Sequence, residues 1–328
     1  MRGQITVQIV NFLRKACCLS ILAGLLILLP ACIPLTGAAG ADPADLRNLL
    51  NTVQRNGILV IATDNNYPPQ SQFNPEAVRL ERTHCSLTHY TANQMVGFDI
   101  DVGVEVARRL GVEPCFVTPA WSQLVGGNWG GRWDISVGSM AITSERMQAL
   151  FFTQPYTSGA AVIFVHQDNE TIRAPGDLTG KRVGVCTGCA YEAYLDRTLE
   201  IPGVKIQFKI QNAAIVGYDT DTSALDDLAL GDGVHLDAVM TDPDTGELAI
   251  QDGLPIRQVG EIVYHDYVAI AIDKSSNSDP LPLVMAITEV IDAMHQDGTL
   301  RRLSEHYYQG DFTSLAAAFD FAMLNQQP

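Results

Sequence analysis

Ile58-Leu59-Val60-Ile61-Ala62-Thr63 is an unbroken aliphatic and β-branched run of strand length, the pattern of a strand buried on both faces. Downstream, Asp101 to Leu110 carries Val102, Val106 and Leu110 at intervals of four, which puts them on one face of a helix. The same pair of signals recurs along the chain. Cys115–Thr118, Asp134–Val137, Ala161–Val165, Arg182–Val185, Val204–Ile210, Asp237–Met240 and Val268–Ile272 read as strands, most of them separated by helical stretches. Strands alternating with helices predict an α/β architecture with largely parallel sheets. Pro282–Tyr308 reads as two helices broken at Asp297-Gly298, because glycine is the usual residue just past a helix end.

The chain has 328 residues and 47% hydrophobic content, enough for a substantial core and, at roughly 100 to 200 residues per domain, for two domains. Its 21 Lys and Arg against 37 Asp and Glu give a formal charge of −16, which repels phosphate backbones, so nucleic acid is not an expected partner. With 18% charged residues and one long apolar run, at the N-terminus, the chain is too polar for a multi-span membrane protein, each span of which needs about 20 apolar residues.

That N-terminal run has the order of a secretory signal: Arg2, Arg14 and Lys15, then apolar Ala16–Leu29, then small residues through Ala41. Two processing sites compete. Leu29-Pro30-Ala31-Cys32 resembles a bacterial lipobox, with an unusual proline, and Ala39-Gly40-Ala41 fits the ordinary small-x-small pattern. The lipobox is favoured because it gives Cys32 a role, and it implies an exported protein, periplasmic or at the cell surface, held to the membrane by a lipid on Cys32. Residues 33–45 are rich in Gly, Pro and Ala and suit a tether. Cys85, Cys115, Cys186 and Cys189 stay in the folded part, where an oxidising compartment predicts disulfides with three possible connectivities. The closeness of Cys186 and Cys189 favours that pair together with Cys85–Cys115, which would pin the weakly patterned excursion Asn74–Gln94.

The search for catalytic motifs is thin. There is no Gly-x-Ser-x-Gly elbow, phosphate-binding loop, His-Glu-x-x-His or dinucleotide fingerprint. His84, Cys85 and His89 lie close together, but in a loop-like segment without a further ligand, so no metal is expected. Asp99 and Asp101 look like an acid and base pair, yet at a helix start they read as caps. Cys186-Thr187-Gly188-Cys189 opens a helix after a strand, as in thiol oxidoreductases that lower a thiol's pKa; a structural disulfide is the plainer reading.

Gly97-Phe98-Asp99-Ile100-Asp101-Val102 resembles the signature of the family 3 extracellular solute-binding proteins, the amino-acid receptors of ABC importers. Further motifs follow that family's order: Thr63-Asp64-x-x-Tyr67-Pro68-Pro69, Trp121-x-x-Leu124, Trp133-Asp134-Ile135, Ile142-Thr143-Ser144-Glu145-Arg146 and Pro155-Tyr156. Asp177-Leu178-x-Gly180-Lys181-Arg182-Val183-Gly184-Val185, Leu236-Asp237-Ala238-Val239-Met240-x-Asp242 and Asp297-Gly298-Thr299 continue it, so the likeness spans about Gly57 to Tyr308. The resemblance implies a two-lobed periplasmic-binding-protein fold, two mostly parallel sheets flanked by helices and joined by a two-strand hinge. The expected organisation is a signal at 1–31, tether and lead-in at 32–56, lobe 1 at 57–156, lobe 2 at 157–263, a return to lobe 1 at 264–312 and a tail at 313–328. It further implies a monomeric receptor without cofactor or catalytic step, serving a membrane permease.

An amino-acid zwitterion needs a cation, an anion and a side-chain pocket. The resemblance assigns the carboxylate to Arg146, whose fork of donors suits it, and to the helix opening at Cys189 and Ala190. It assigns the ammonium to Asp242, with Ser139 and Ala141 completing that shell, and the side chain to a Tyr67 and Trp121 sandwich ending at Asp64. A cation–π sandwich closed by a carboxylate leans toward polar or basic amino acids. The chain departs from the family at Gln70, where an aromatic is usual, at Ser139 and Ala141, and at Cys189, where a hydroxyl residue is common. Periplasmic dehydratases share this family, and Glu192 is the one acid or base the sequence offers for that alternative.

Overall fold

The computed structural model of the protein describes residues 48–325; the expected signal, Cys32, most of the tether and residues 326–328 lie outside them. The described residues open with α1 (Leu49–Asn56), β1 (Ile58–Ala62), β2 (Asn66–Tyr67), β3 (Ser71–Phe73), β4 (Tyr90–Thr91) and β5 (Met95–Val96). It continues through α2 (Phe98–Leu110), β6 (Glu113–Val117), α3 (Trp121–Val125), β7 (Ile135–Ser136) and β8 (Leu150–Phe152). The second lobe holds β9 (Thr157–His166), β10 (Arg182–Cys186), α4 (Ala190–Leu195), β11 (Ala214–Tyr218), α5 (Asp221–Leu228), β12 (Ala238–Thr241), α6 (Pro243–Gln251) and β13 (Ile256–Val268). A return to the first lobe follows: β14 (Ala271–Asp273), α7 (Leu281–Gln296), α8 (Thr299–Tyr308) and α9 (Ser314–Ala317).

Two sheets organise these elements, in the orders β4-β6-β1-β7-β14-β8 and β11-β10-β12-β9-β13. Each has a parallel centre, β6-β1-β7 in one and β11-β10-β12 in the other. The flanks are antiparallel, a larger share than the sequence rhythm suggests, because β9 carries the chain into the second lobe and β13 carries it out alongside. The connections between lobes meet as Thr153 N–H bonds Ile270 O at 3.0 Å and Tyr156 N–H bonds Val268 O at 3.0 Å.

The opening aliphatic run is explained by its two faces. Leu59 and Ile61 pack with Phe98, Val102, Val106 and Ile287 on one side of the sheet, while Val60 and Ala62 pack with Leu124, Trp129 and Met140 on the other. α2 begins at Phe98, three residues before the expected start. Asp99 therefore lies inside the helix, and its carboxylate is not a cap: it accepts from Tyr156 Oη at 2.7 Å and Ser139 Oγ at 2.8 Å. Asp101 likewise accepts from Tyr307 Oη at 2.8 Å. Gly97 turns the chain into α2 at φ 137°, where a Cβ would strike the Gln70 carbonyl.

Two expected strands differ. Val204–Ile210 alternates as a strand does, and Ile210 is buried, but Tyr194 Oη donates to Gln207 O at 2.9 Å and accepts from Lys209 N–H at 2.8 Å, taking the groups a neighbouring strand would use. Val268–Ile272 is where the chain leaves β13 for β14, so the run is divided between lobes. The helix break at Asp297-Gly298 stands, with Gly298 left-handed at φ 74°.

Disulfides join Cys85 to Cys115 and Cys186 to Cys189. The first ties the excursion after β3 to β6, and Arg79 organises the same excursion by donating to the carbonyls of Cys85, Ser86 and His89. His84 Nδ1 lies 3.1 Å from Glu113 Oε2 and Cys85 is held in its disulfide, so two of the His84, Cys85 and His89 trio are engaged by other partners. Replacing Cys85 and Cys115 together by serine is expected to cost about 2–4 kcal/mol of stability. Urea unfolding of the pair variant reads this directly, with ligand affinity unchanged because the bridge is remote from the cleft.

Candidate functional site: the cleft between the lobes

Open α/β sheets present ligand sites at the carboxyl ends of their parallel strands. Here the segments leaving β1, β7, β10 and β11 converge on one cavity between the lobes. Asp64, Tyr67, Trp121, Ser139, Ala141, Arg146, Cys189 and Ala190, all singled out from the sequence, line it.

Arg146 is 7% exposed. Its Nη1 donates to Ala141 O at 2.8 Å and its Nη2 to Gly188 O at 2.9 Å, across the cleft. The guanidinium lies 5.3 Å from the Trp121 ring, and Trp121 Nε1 donates to the same Gly188 carbonyl at 3.2 Å. Burial lowers the Arg146 pKa to about 10, with Asp266 opposing, so it stays cationic at neutral pH. The Gly188 turn, left-handed at φ 78° and closed by the Cys186–Cys189 disulfide, thus carries the second lobe's contact with both residues. Asn66 and Thr220, with Nδ2 and Oγ1 3.3 Å apart, add a contact at the cavity rim.

Ser139 takes a left-handed backbone at φ 48° and spends its hydroxyl proton on Asp99. Its amide donates to Tyr156 Oη at 3.2 Å. Asp99, Tyr156 and Ser139 therefore brace the cavity floor. Tyr67 and Tyr191 meet with their hydroxyls 3.5 Å apart and divide this cavity from a second one.

Asp242 lines the second cavity, and Gln70 lines it too. Asp242 caps α6, its Oδ1 accepting from Asp244 N–H at 2.9 Å. Burial holds its carboxyl well above the ordinary range, and Asp244 adds to the rise. Glu192 accepts from Gly188 N–H at 2.5 Å and lines an outer depression with Gly126 and Glu145.

Sequence reasoning missed three buried side chains of the cavity. Asp221 opens α5 beyond β11, Asp266 stands on β13, and Tyr191 follows Ala190 in α4. The position of Asp221 after a parallel strand was a usable signal; Asp266, on a strand that crosses between lobes, had none. Burial raises Asp221 to about 7, with Asp64 adding to it, and Asp266 to about 6, with Arg146 opposing.

A model of the bacterial extracellular solute-binding proteins, family 3, matches residues 59–310. The chain belongs to this family. It is 27% identical over 267 residues to the L-cystine-binding protein TcyJ of Escherichia coli (strain K12), covering 81% of this chain and 88% of that protein. It is 29% identical over 221 residues to the probable amino-acid-binding protein YxeM of Bacillus subtilis (strain 168), covering 67% and 78%. Among solved structures, the P235GK mutant of ArgBP from T. maritima shares the fold at TM-score 0.64 and 22% identity, covering 80% of this chain and 99% of that one. The ancestral amino-acid-binding protein AncCDT-1, described as a precursor of cyclohexadienyl dehydratase, aligns at TM-score 0.62 and 25% identity over 80% of this chain and 99% of that one. These likenesses support the two-lobed expectation and the family reading of the sequence. Among the described residues, no helix is long and apolar enough to cross a membrane.

The buried acids set a pH dependence for this solute-binding protein. Asp99 and Asp221 at about 7, and Asp134 and Asp266 at about 6, are raised by burial above their ordinary range. Their contribution to stability is complete below about pH 4 and is lost as pH rises through 6 to 7, since the unfolded chain then binds fewer protons than the folded one. Glu105, Asp297 and Asp311, held down to about 2 by their partners, contribute above about pH 4 and lose that contribution on further acidification. The ligand-free melting temperature is expected to be higher at about pH 5 than at about pH 8; calorimetry at the two values checks the sign.

Proposed function

We propose that this protein captures a polar or basic L-amino acid between its lobes and delivers it to the permease of an ABC importer. The observation that carries the reading is Arg146: a buried cation on the wall of the cleft, opposite the start of α4 and beside Trp121 and Tyr67. A guanidinium forks onto a carboxylate, and the free N–H groups at the α4 terminus favour the same anion. The cavity's carboxylates complement an ammonium, and its aromatic rings suit an aliphatic or cationic side chain. Cystine, arginine and lysine/arginine/ornithine are what several relatives are named for binding, which agrees with this class.

Ligand that contacts both lobes favours the closed arrangement and shifts the population toward it. The receptor acts outside the cytoplasm as a monomer, tethered by a lipid on Cys32. No catalytic step is assigned: Glu192, the acid the dehydratase alternative needs, is engaged by Gly188 N–H and faces the outer depression. The Cys186–Cys189 pair serves as a brace for the Gly188 turn in this reading.

A thermal-shift screen of the oxidised protein against the common L-amino acids, ornithine and citrulline names the ligand, because binding to the folded state raises the melting temperature. With that ligand, Arg146→Ala is expected to weaken binding about 100-fold or more while circular dichroism stays native. An Arg146→Ala protein that binds normally would sink the clamp. Replacing Cys186 and Cys189 by serine is expected to raise the dissociation constant about tenfold, through a looser Gly188 turn and a less populated closed state; isothermal titration of that variant provides the check.

A further inference from the structure

The family match ends at residue 310, while the described chain runs on to Asn325 and wraps the crossing between the lobes. Asp311 starts this segment: its Oδ1 accepts from Thr313 N–H at 2.9 Å and Thr313 Oγ1 at 2.7 Å, and its Oδ2 from Ser314 Oγ at 2.6 Å, which turns the chain into α9. Phe312 O accepts from Ser158 N–H at 2.9 Å, Ser158 Oγ at 2.8 Å and Thr157 Oγ1 at 3.2 Å, all at the start of β9. Gln154, buried in the stretch that leads into β9, donates through Nε2 to Ala316 O at 3.2 Å and Phe319 O at 3.3 Å. The Phe319 ring lies 4.6 Å from that of Tyr267 on β13, the strand that returns. Both crossings are thus fastened to one segment.

Its far end reaches across to the second lobe. Phe319 and Leu324 pack into the first-lobe core with Val60, Leu124 and Trp129, so Met323 between them moves with that lobe. Met323 lies against Gly203, whose neighbours Ile201 and Val204 belong to the second-lobe core. A Cβ at Gly203 would come within 2.8 Å of Met323 Sδ, and the residue is left-handed at φ 74°, so the approach depends on glycine. Three residues earlier, Glu200 O accepts from Ser144 N–H of the first lobe at 2.9 Å. These contacts coexist with those of Arg146 to Gly188 and Asn66 to Thr220, and so belong to the arrangement in which the lobes are together.

Hinge rotation has to carry Gly203 away from Met323 or drag the segment off Gln154 and Tyr267. We propose that residues 311–325 form a strap across the hinge that favours the closed arrangement of the lobes. Ligand then has less of the closing free energy to supply, and affinity contains a contribution from Met323, which lines neither cavity. The strap acts whichever amino acid the cleft takes.

The test compares the wild type with Met323→Ala and with a chain that stops after Asp320. Small-angle X-ray scattering reads the ligand-free proteins, and isothermal titration reads binding of the amino acid found by thermal shift. Met323 is 37% exposed, so its replacement by alanine leaves the core intact. Both variants are expected to have a larger ligand-free radius of gyration than the wild type. The dissociation constant is expected to rise about threefold for Met323→Ala and about tenfold for the shortened chain, through faster release and with unchanged stoichiometry. A merely structural defect would instead lower the fraction of protein able to bind and leave the dissociation constant of the remainder as in the wild type. Radii and dissociation constants equal to those of the wild type in both variants overturn the strap, and tighter binding by the shortened chain does so as well. Should the shortened chain not fold, Met323→Ala decides alone. Should the wild type bind no amino acid, the receptor reading falls and scattering decides the strap by itself, an unchanged radius refuting it.

Discussion

A buried guanidinium without a bonded carboxylate is the constraint around which this cleft is arranged. Arg146 is held by two neutral carbonyls, one on each lobe, and those bonds orient the charge without cancelling it. Removing a cation from water is costly, and burial accordingly draws its pKa down to about 10. The remedy is an anion delivered to that spot. Trp121 covers one face of the guanidinium, the Gly188 turn fixes one edge, and the start of α4 brings further donors toward the same place.

The two sheets convert that local demand into a two-lobed machine. Their parallel centres aim strand ends at a common cleft, while, among the described residues, the antiparallel β9 and β13 are the strands of the second sheet that connect directly to the first. Residues at that crossing are bonded strand to strand, so rotation of one lobe on the other concentrates in a few backbone torsions there. The Gly188 carbonyl then makes or breaks with Arg146 and Trp121 as the lobes move.

How much of this was legible follows from which signals are local. The strand Ile58–Ala62 was legible because both of its faces are core, so every side chain carries the message. The helix pair divided at Gly298 was legible because a left-handed stop is a glycine's task. Val204–Ile210 misled because alternation reports burial of one face, and a strand also needs a partner edge, here preempted by Tyr194. Asp99 misled for a similar reason. A carboxylate in a first turn reads as a cap, but its partners, Tyr156 and Ser139, lie 57 and 40 residues away. The family motifs brought most of the cavity wall to notice; they could not reveal Asp221 and Asp266, which come to the cavity only through the folding of β11, α5 and β13 and each leave a buried carboxylate oxygen without a partner among the described residues.

The surplus of acids also bears on when the lobes close. Closure buries Asp221 and Asp266 against aromatic walls and other carboxylates, and each responds with a raised pKa, a sign that the charged form is disfavoured there. A closed cleft without a cation must therefore either protonate these groups or hold like charges in a dry cavity, and both options oppose closure at neutral pH. An ammonium reverses the balance for the acids, as a carboxylate does for Arg146. Because a ligand moves an equilibrium only by its differential affinity for the two states, a zwitterion that satisfies both sites at once favours closure more than either half of it could. The same unsatisfied charges that make the empty closed state costly thus make occupancy the condition for closing.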